Sequence, residues 1–128
     1  MIKPDGVQRK LIGRIIGRFE SKGLFLRAMK MTKPSLHQLE QHYFHLKTMP
    51  FYQNMIDFMS SGPVVAMVWE GKNAVQQART MLGATDPSES LPGTIRGDLG
   101  LETRRNVCHG SDSVASAQRE IALWFQDG

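Results

Sequence analysis

The chain has 128 residues, with 16 Lys+Arg against 12 Asp+Glu, so its formal net charge at pH 7 is +4 with the histidines neutral. Its 41% hydrophobic and 22% charged residues are ordinary globular values, which excludes a disordered tail, a collagen-like repeat and a highly charged arm. The longest apolar run, Val64 to Trp69, falls far short of the roughly 20 residues of a membrane-spanning helix, so a soluble protein with no membrane partner is expected. A chain of this length buries enough surface to fold as one domain without a staple, and its single cysteine, Cys108, excludes an internal disulfide. That cysteine usage suits a reducing compartment, and a cytoplasmic setting is expected. The basic pI of about 9.5 favours anionic partners, with nucleic acid the minor reading on charge alone.

In chain order, Leu11, Ile12, Ile15, Ile16 and Phe19 recur at spacings of three and four and predict an amphipathic helix that Gly23 ends. Leu24 to Met31 alternates and predicts a strand buried on at least one side. Ser35 is placed to cap a helix carrying Leu36, Leu39, Tyr43 and Leu46, which breaks at Thr48-Met49-Pro50. A short helix from Phe51 to Met59 follows, closed by Ser60-Ser61-Gly62-Pro63. Val64 to Trp69, β-branched at three of its six positions, fits a fully buried central strand. Asn73 to Leu82 predicts a helix with Ala74, Val75, Ala78, Met81 and Leu82 inward. Residues 83–103 lose periodicity and read as a long irregular loop, of the kind a compact domain keeps for function. Arg105 to Cys108 predicts a brief strand, and Val114, Ala117, Ile121, Trp124 and Phe125 mark a last helix capped by Asp112 or Ser113. The alternation of strands and helices predicts an α/β or α+β sandwich.

The segment Asn106-Val107-Cys108-His109-Gly110-Ser111-Asp112-Ser113 sets a histidine between a strand and a helix start. Unpaired N–H groups and partial positive charge collect at such an end, which attracts phosphate. His109 can there be a base, a nucleophile or a ligand, or it can simply fill a turn. The long loop supplies Thr85, Arg96 and Asp98, with Arg79 on the helix leading into it and Lys3 at the other end of the chain. Arginine forks and hydroxyls are groups that hold phosphate oxygens. Neither the Gly-x-x-x-x-Gly-Lys-Ser/Thr loop nor the Gly-x-Gly-x-x-Gly fingerprint occurs, so a nucleotide site must use another scheme. His37, His42 and His45 do not follow a zinc-ligand spacing, and Cys108 reads as a small buried hydrophobe.

The segments Ile2-Lys3-Pro4-Asp5-Gly6-Val7, Gln41-His42-Tyr43, Met59-Ser60-Ser61-Gly62-Pro63-Val64, Pro92-Gly93-Thr94-Ile95-Arg96-Gly97-Asp98 and Asn106 to Ser113 together resemble the nucleoside diphosphate kinase family, in family order over nearly the whole chain. The resemblance implies a ferredoxin-like sandwich with a four-stranded antiparallel sheet covered by helices. It implies Mg²⁺-dependent, ping-pong transfer of the terminal phosphate from a nucleoside triphosphate to a nucleoside diphosphate through a phosphohistidine on His109. Glu120 falls at the family position of the carboxylate that receives the other ring nitrogen, and Tyr43 at that of a residue orienting the histidine. Arg79, Thr85 and Arg96 match phosphate binders, Lys3 and Asn106 match groups near the ribose and the transferred phosphate, and Phe51 matches the aromatic that stacks on the base. Mg²⁺ is then held mainly by nucleotide phosphates and water, with no metal ligand from the protein itself. A homo-oligomer, hexamer or tetramer, is implied as well. Relative to the family pattern the chain reads as shortened before Ile2 and after Phe125, and Thr103 stands where a small apolar residue usually packs on the base. The other reading of the same fold is a non-catalytic nucleotide- or nucleic-acid-binding regulator.

Overall fold

The computed structural model describes residues 1–125. Helix α1 spans Pro4–Gln8, α2 Ile12–Lys22, strand β1 Phe25–Thr32, α3 Leu36–His42, α4 Tyr52–Met59, β2 Val64–Glu70, α5 Ala74–Leu82, α6 Ile95–Leu99 and α7 Val114–Trp124, with 3₁₀ turns at Phe44–Leu46 and Pro87–Glu89. Local chemistry sets several of these boundaries. Gly23 adopts φ 102°, a left-handed value that suits glycine, and its N–H and that of Leu24 return to the carbonyls of Glu20 and Phe19 to close α2. Ser35 and Gln38 form a reciprocal capping box at the start of α3, and Ser113, rather than Asp112, caps α7 by accepting from the Ser116 N–H.

β1 and β2 pair antiparallel from Phe25 opposite Glu70 to Thr32 opposite Val64, with one irregularity between Leu26 and Ala28. Ile2 bridges Val65 on one side and Cys108 on the other, so the lateral order runs β1, β2, Ile2, Cys108. Side chains alternate across this layer. Val65 joins Ile2, Ile15, Phe19, Leu82, Ile95 and Val107 in one core cluster, whereas Val64 and Ala66 join Leu39, Tyr43, Ile56, Met59 and Trp124 in the other.

Several expectations change. Among the described residues the named sheet has two strands, because the third and fourth positions are single-residue bridges: Pro4 starts α1 immediately after Lys3, and the chain turns sharply at Val107. Residues 83–103 are not one irregular loop, since they contain a 3₁₀ turn capped by Asp86 and the helix α6 capped by Thr94. Both are too short to show a hydrophobic period, which is why only their cap residues betray them. Finally, Val114 and Ile121 face outward at 63% and 40% exposure, and the buried residues of α7 are Glu120 and Trp124. β2 is buried from Val64 to Ala66 and half-buried from Met67 to Trp69. No helix among the described residues is long and apolar enough to cross a membrane.

Ser35→Ala removes an acceptor for an otherwise orphaned helix N–H and disables the capping box, and is expected to lower stability by about 1 kcal/mol in denaturant unfolding. An unchanged midpoint would show that α3 is held by packing alone.

Candidate active site

The site is built on one sharp turn. Val107 has φ 76°, and the N–H of Cys108 closes back on the carbonyl of Asn106 at 2.8 Å, a γ-turn about a β-branched residue. Such a conformation stores on the order of 1–3 kcal/mol and persists only where its surroundings impose it. The surroundings do so. The Val107 N–H donates to Asp5 Oδ2 at 3.1 Å, its carbonyl accepts from the Lys3 N–H at 2.8 Å, and its side chain is fully buried. On the next residue but one, His109 and Met1 exchange both backbone hydrogen bonds at 2.8 Å.

The turn brings the side chains before and after it to one place. Asn106, buried at 2% exposure, accepts from Lys3 Nζ at 2.8 Å and donates through Nδ2 to the Thr85 carbonyl at 3.0 Å. Burial first, and then Arg96, push the Lys3 ammonium down to about 8. A cation so placed gains by meeting an anion that replaces its lost water. Arg96 is spent largely on the frame: Nη2 donates to the Cys108 carbonyl at 2.6 Å and Nη1 to the Gly83 and Ala84 carbonyls at 3.1 and 3.4 Å, while its buried Nε has no partner. Arg79 reaches the Gly110 carbonyl at 3.4 Å.

His109 Nε2 lies 2.6 Å from Glu120 Oε1, which also accepts from Ser111 Oγ at 3.1 Å. Burial raises the Glu120 carboxyl, but the His109 hydrogen bond and charge together with Ser111 bring it below the ordinary glutamate value. Glu120 is therefore ionised and can only accept, so the His109 proton sits on Nε2 and Nδ1 keeps its lone pair. Burial outweighs Glu120 at the imidazole itself and pulls His109 below the usual histidine value, which favours the neutral ring. Behind it, His42 meets the His109 ring edge-on with centroids 4.5 Å apart, and Tyr43 meets His42 at 4.6 Å. The buried Tyr43 hydroxyl has no hydrogen-bond partner, and burial followed by Glu120 raises its pKa.

Of the residues expected at the site, Lys3, Arg79, Arg96, Asn106, His109, Glu120 and the Thr85 backbone are joined by contacts to one another or to the 106–111 segment. Phe51 stands apart from that network, 39% exposed just before α4. Asp98 turns elsewhere, to Arg18 at 2.5 Å and the Gly93 N–H at 2.9 Å, which makes it part of the loop's frame. Cys108 packs in the core, and burial pushes its thiol up to about 11. Sequence reasoning did not reach Asp5, Val107 or Trp124 as parts of the site. Only Asp5 carried a signal, as an acidic residue in the first turn after Pro4.

A model of the family described as nucleoside diphosphate kinase matches residues 1–128. A protein of Emericella nidulans named nucleoside diphosphate kinase is 62% identical over 124 residues, covering 97% of this chain and 81% of that one. One of the same name from Neurospora crassa is 61% identical over 125 residues, covering 98% and 82%. Among solved structures, an apo nucleoside diphosphate kinase of Encephalitozoon cuniculi superposes with a TM-score of 0.96 at 52% identity, covering 97% of this chain and 84% of its own. A halophilic nucleoside diphosphate kinase of Halobacterium salinarum in complex with CDP gives a TM-score of 0.96 at 46% identity, covering 98% and 84%.

Asp5→Ala leaves the buried Val107 N–H without an acceptor and is expected to lower stability by about 1–3 kcal/mol, with a loss of phosphate transfer larger than the loss of folded protein. Denaturant unfolding set beside single-turnover rates checks this, and full activity in a destabilised variant would show that the turn survives without Asp5.

Proposed function

The chain belongs to the nucleoside diphosphate kinase family, and from that premise we propose that His109 is the nucleophile through which its phosphate passes. The enzyme transfers the terminal phosphate of a nucleoside triphosphate to a nucleoside diphosphate. The observation that carries the His109 reading is the 2.6 Å contact between Nε2 and the ionised Glu120, which leaves Nδ1 as the free lone pair. In the first half-reaction Nδ1 forms a bond to the terminal phosphorus as the bond from that phosphorus to the bridging oxygen breaks, and the departing diphosphate keeps the electron pair. The imidazole gains positive charge, which Glu120 stabilises through the Nε2 proton. In the second, a terminal oxygen of the acceptor diphosphate forms the new P–O bond and the N–P electrons return to Nδ1. One site thus serves donor and acceptor in turn.

Lys3, Arg79 and the buried edge of Arg96 supply the positive field for the phosphates, with Asn106 and the Thr85 hydroxyl as the neutral donors, while Tyr43, packed edge-on against His42, helps orient the histidine. Exposed Phe51 offers a ring face for base stacking, which tolerates any base. The donor set fits Mg²⁺ arriving on the nucleotide: Glu120 is committed to His109, and the remaining groups are cationic or neutral and suit phosphate oxygens. When bound, the ion neutralises phosphate charge; the chain's own residues orient the phosphates and hold the nucleophile.

The bridges of Ile2 to Val65 and Cys108 support reading the sheet as the central layer of a four-stranded, ferredoxin-like single domain. Exposed Phe25, Met29 and Met31 along β1 support a homo-oligomer, and the reduced, buried Cys108 suits the cytoplasm. The test is labelling with γ-labelled ATP and Mg²⁺ in the absence of acceptor. Acid-labile, alkali-stable label that a nucleoside diphosphate discharges is expected, and His109→Ala should abolish it while nucleotide still binds. Substantial label on His109→Ala would reject this nucleophile. Arg96→Ala is expected to lower transfer by orders of magnitude, because it removes charge beside the transferring group and three bonds to the frame; turnover at the wild-type rate would place Arg96 outside the chemistry.

A further inference from the structure

The ring behind the nucleophile is itself held. Trp124 Nε1 lies 3.0 Å from His42 Nδ1, in a fully buried contact between α7 and the end of α3. An indole N–H only donates, so it matches a ring nitrogen that bears no proton, and the His42 hydrogen is left on Nε2. His42, His109 and Glu120 each bring one nitrogen or oxygen within 4.8 Å of the other two, and all three are committed: Glu120 to His109, His42 to Trp124. Trp124 also packs edge-on to the His42 ring at 5.7 Å, and His42 packs edge-on to His109 at 4.5 Å.

We propose that His42 is a positioning residue for His109, locked by the Trp124 indole as the neutral Nε2–H tautomer, so that no second cation forms beside the ring that must take up positive charge during transfer. This rests on the reading of His109 as the nucleophile. The charged groups that act on His42 are His109, Glu120, the Met1 amino group and Arg119, while Tyr43 contributes a neutral phenol. Burial first, then His109, pushes the His42 imidazole down to about 3, in agreement with the geometry. Protonating Nδ1 would set two donors against each other across the Trp124 contact. It would also divide Glu120 between two imidazolium rings and raise the barrier to forming the third bond on His109 Nδ1.

The test compares pH profiles of phosphoenzyme formation from Mg-ATP in the wild type, Trp124→Phe, and Trp124→Phe combined with His42→Phe. Phenylalanine at 124 keeps a ring but removes the donor, so a proton on His42 Nδ1 no longer opposes the indole N–H. Burial and His109 still act on the released ring, so it titrates above its wild-type value but below the ordinary histidine value, and the ratio of rates at pH 5.5 and pH 8 should fall below the wild-type ratio. Adding His42→Phe keeps a ring against His109 and removes the titration, and should restore the wild-type ratio even if the rate is lower at every pH. A merely structural role for Trp124 would lower the rate uniformly. A wild-type pH ratio in Trp124→Phe, or no recovery in the double variant, overturns the proposal. Nitrogen NMR of the ¹⁵N-labelled wild type decides it independently of how the variants fold: His42 should stay in the neutral Nε2–H form from pH 8 to pH 5, and an Nδ1–H tautomer or a charged ring at pH 6 overturns it. Label persisting on His109→Ala would instead defeat the nucleophile reading and leave the His42 tautomer result standing.

Discussion

Val107 cannot leave its γ-turn without dismantling the site. A β-branched residue at φ 76° is held there by Asp5 on its N–H, by the Lys3 backbone on its carbonyl and by complete burial of its side chain. Because the turn reverses the chain within three residues, Asn106 and His109 flank one point although they belong to a segment too short to form a strand. The same two residues that impose the turn carry other duties: Lys3 sends its ammonium to Asn106, and Asp5 sits in the first turn of the helix that opens directly after it. Strain at the turn is thus offset by contacts that the phosphate site needs in any case. Gly6 belongs to the same arrangement, since a Cβ there would lie 2.7 Å from the Ile2 side chain and 3.1 Å from the Val107 carbonyl.

The electrostatic layout follows from burial more than from charge count. Near the turn stand Lys3, Arg79 and Arg96, yet all three are committed to backbone carbonyls or to Asn106, which fixes their position before any ligand arrives. Preorganised donors act more strongly in a dry site because no reorientation accompanies the reaction. Among the described residues Glu120 is the single carboxylate bonded to the His109 ring, and it directs the imidazole rather than opposing the phosphates. A carboxylate in contact with the phosphates themselves would repel the substrate; one on the far nitrogen stabilises the charge that transfer creates.

Much of this was legible in the sequence where a local rule acts alone. Gly23 as a helix end, Ser35 as a cap, the choice of Asp112 or Ser113 as another and the apolar period of α2 all follow from residues within one or two turns of each other. The segment from Asn106 to Ser113 also announced a phosphate site through its histidine before a helix. What stayed hidden depends on contacts across the chain. Asp5 and Val107 are 102 residues apart, His42 and Trp124 are 82 apart, and no periodicity encodes either pair. Helix α6 and the 3₁₀ turn before it escaped because Gly83, Pro92, Gly93 and Gly97 read as loop, although Thr94 and Asp86 cap them in the ordinary way.

Helix α7 shows where the local rule yields to the site. Hydrophobic count alone would turn Val114 and Ile121 inward, yet both are exposed while Glu120 is buried at 9%. Glu120 and Trp124 are four residues apart and so share one face. Rotating the helix to bury Ile121 would take the carboxylate from His109 and the indole from His42 together. The buried polar pair is tolerable because both members are bonded, Glu120 to His109 and Ser111 and Trp124 to His42, whereas an unbonded carboxylate in that position would be strongly unfavourable. The orientation of α7 is thus set by two directional hydrogen bonds together with the burial of Trp124 in the core, and a helix that turns Val114 and Ile121 outward to keep them marks the side on which the chemistry lies.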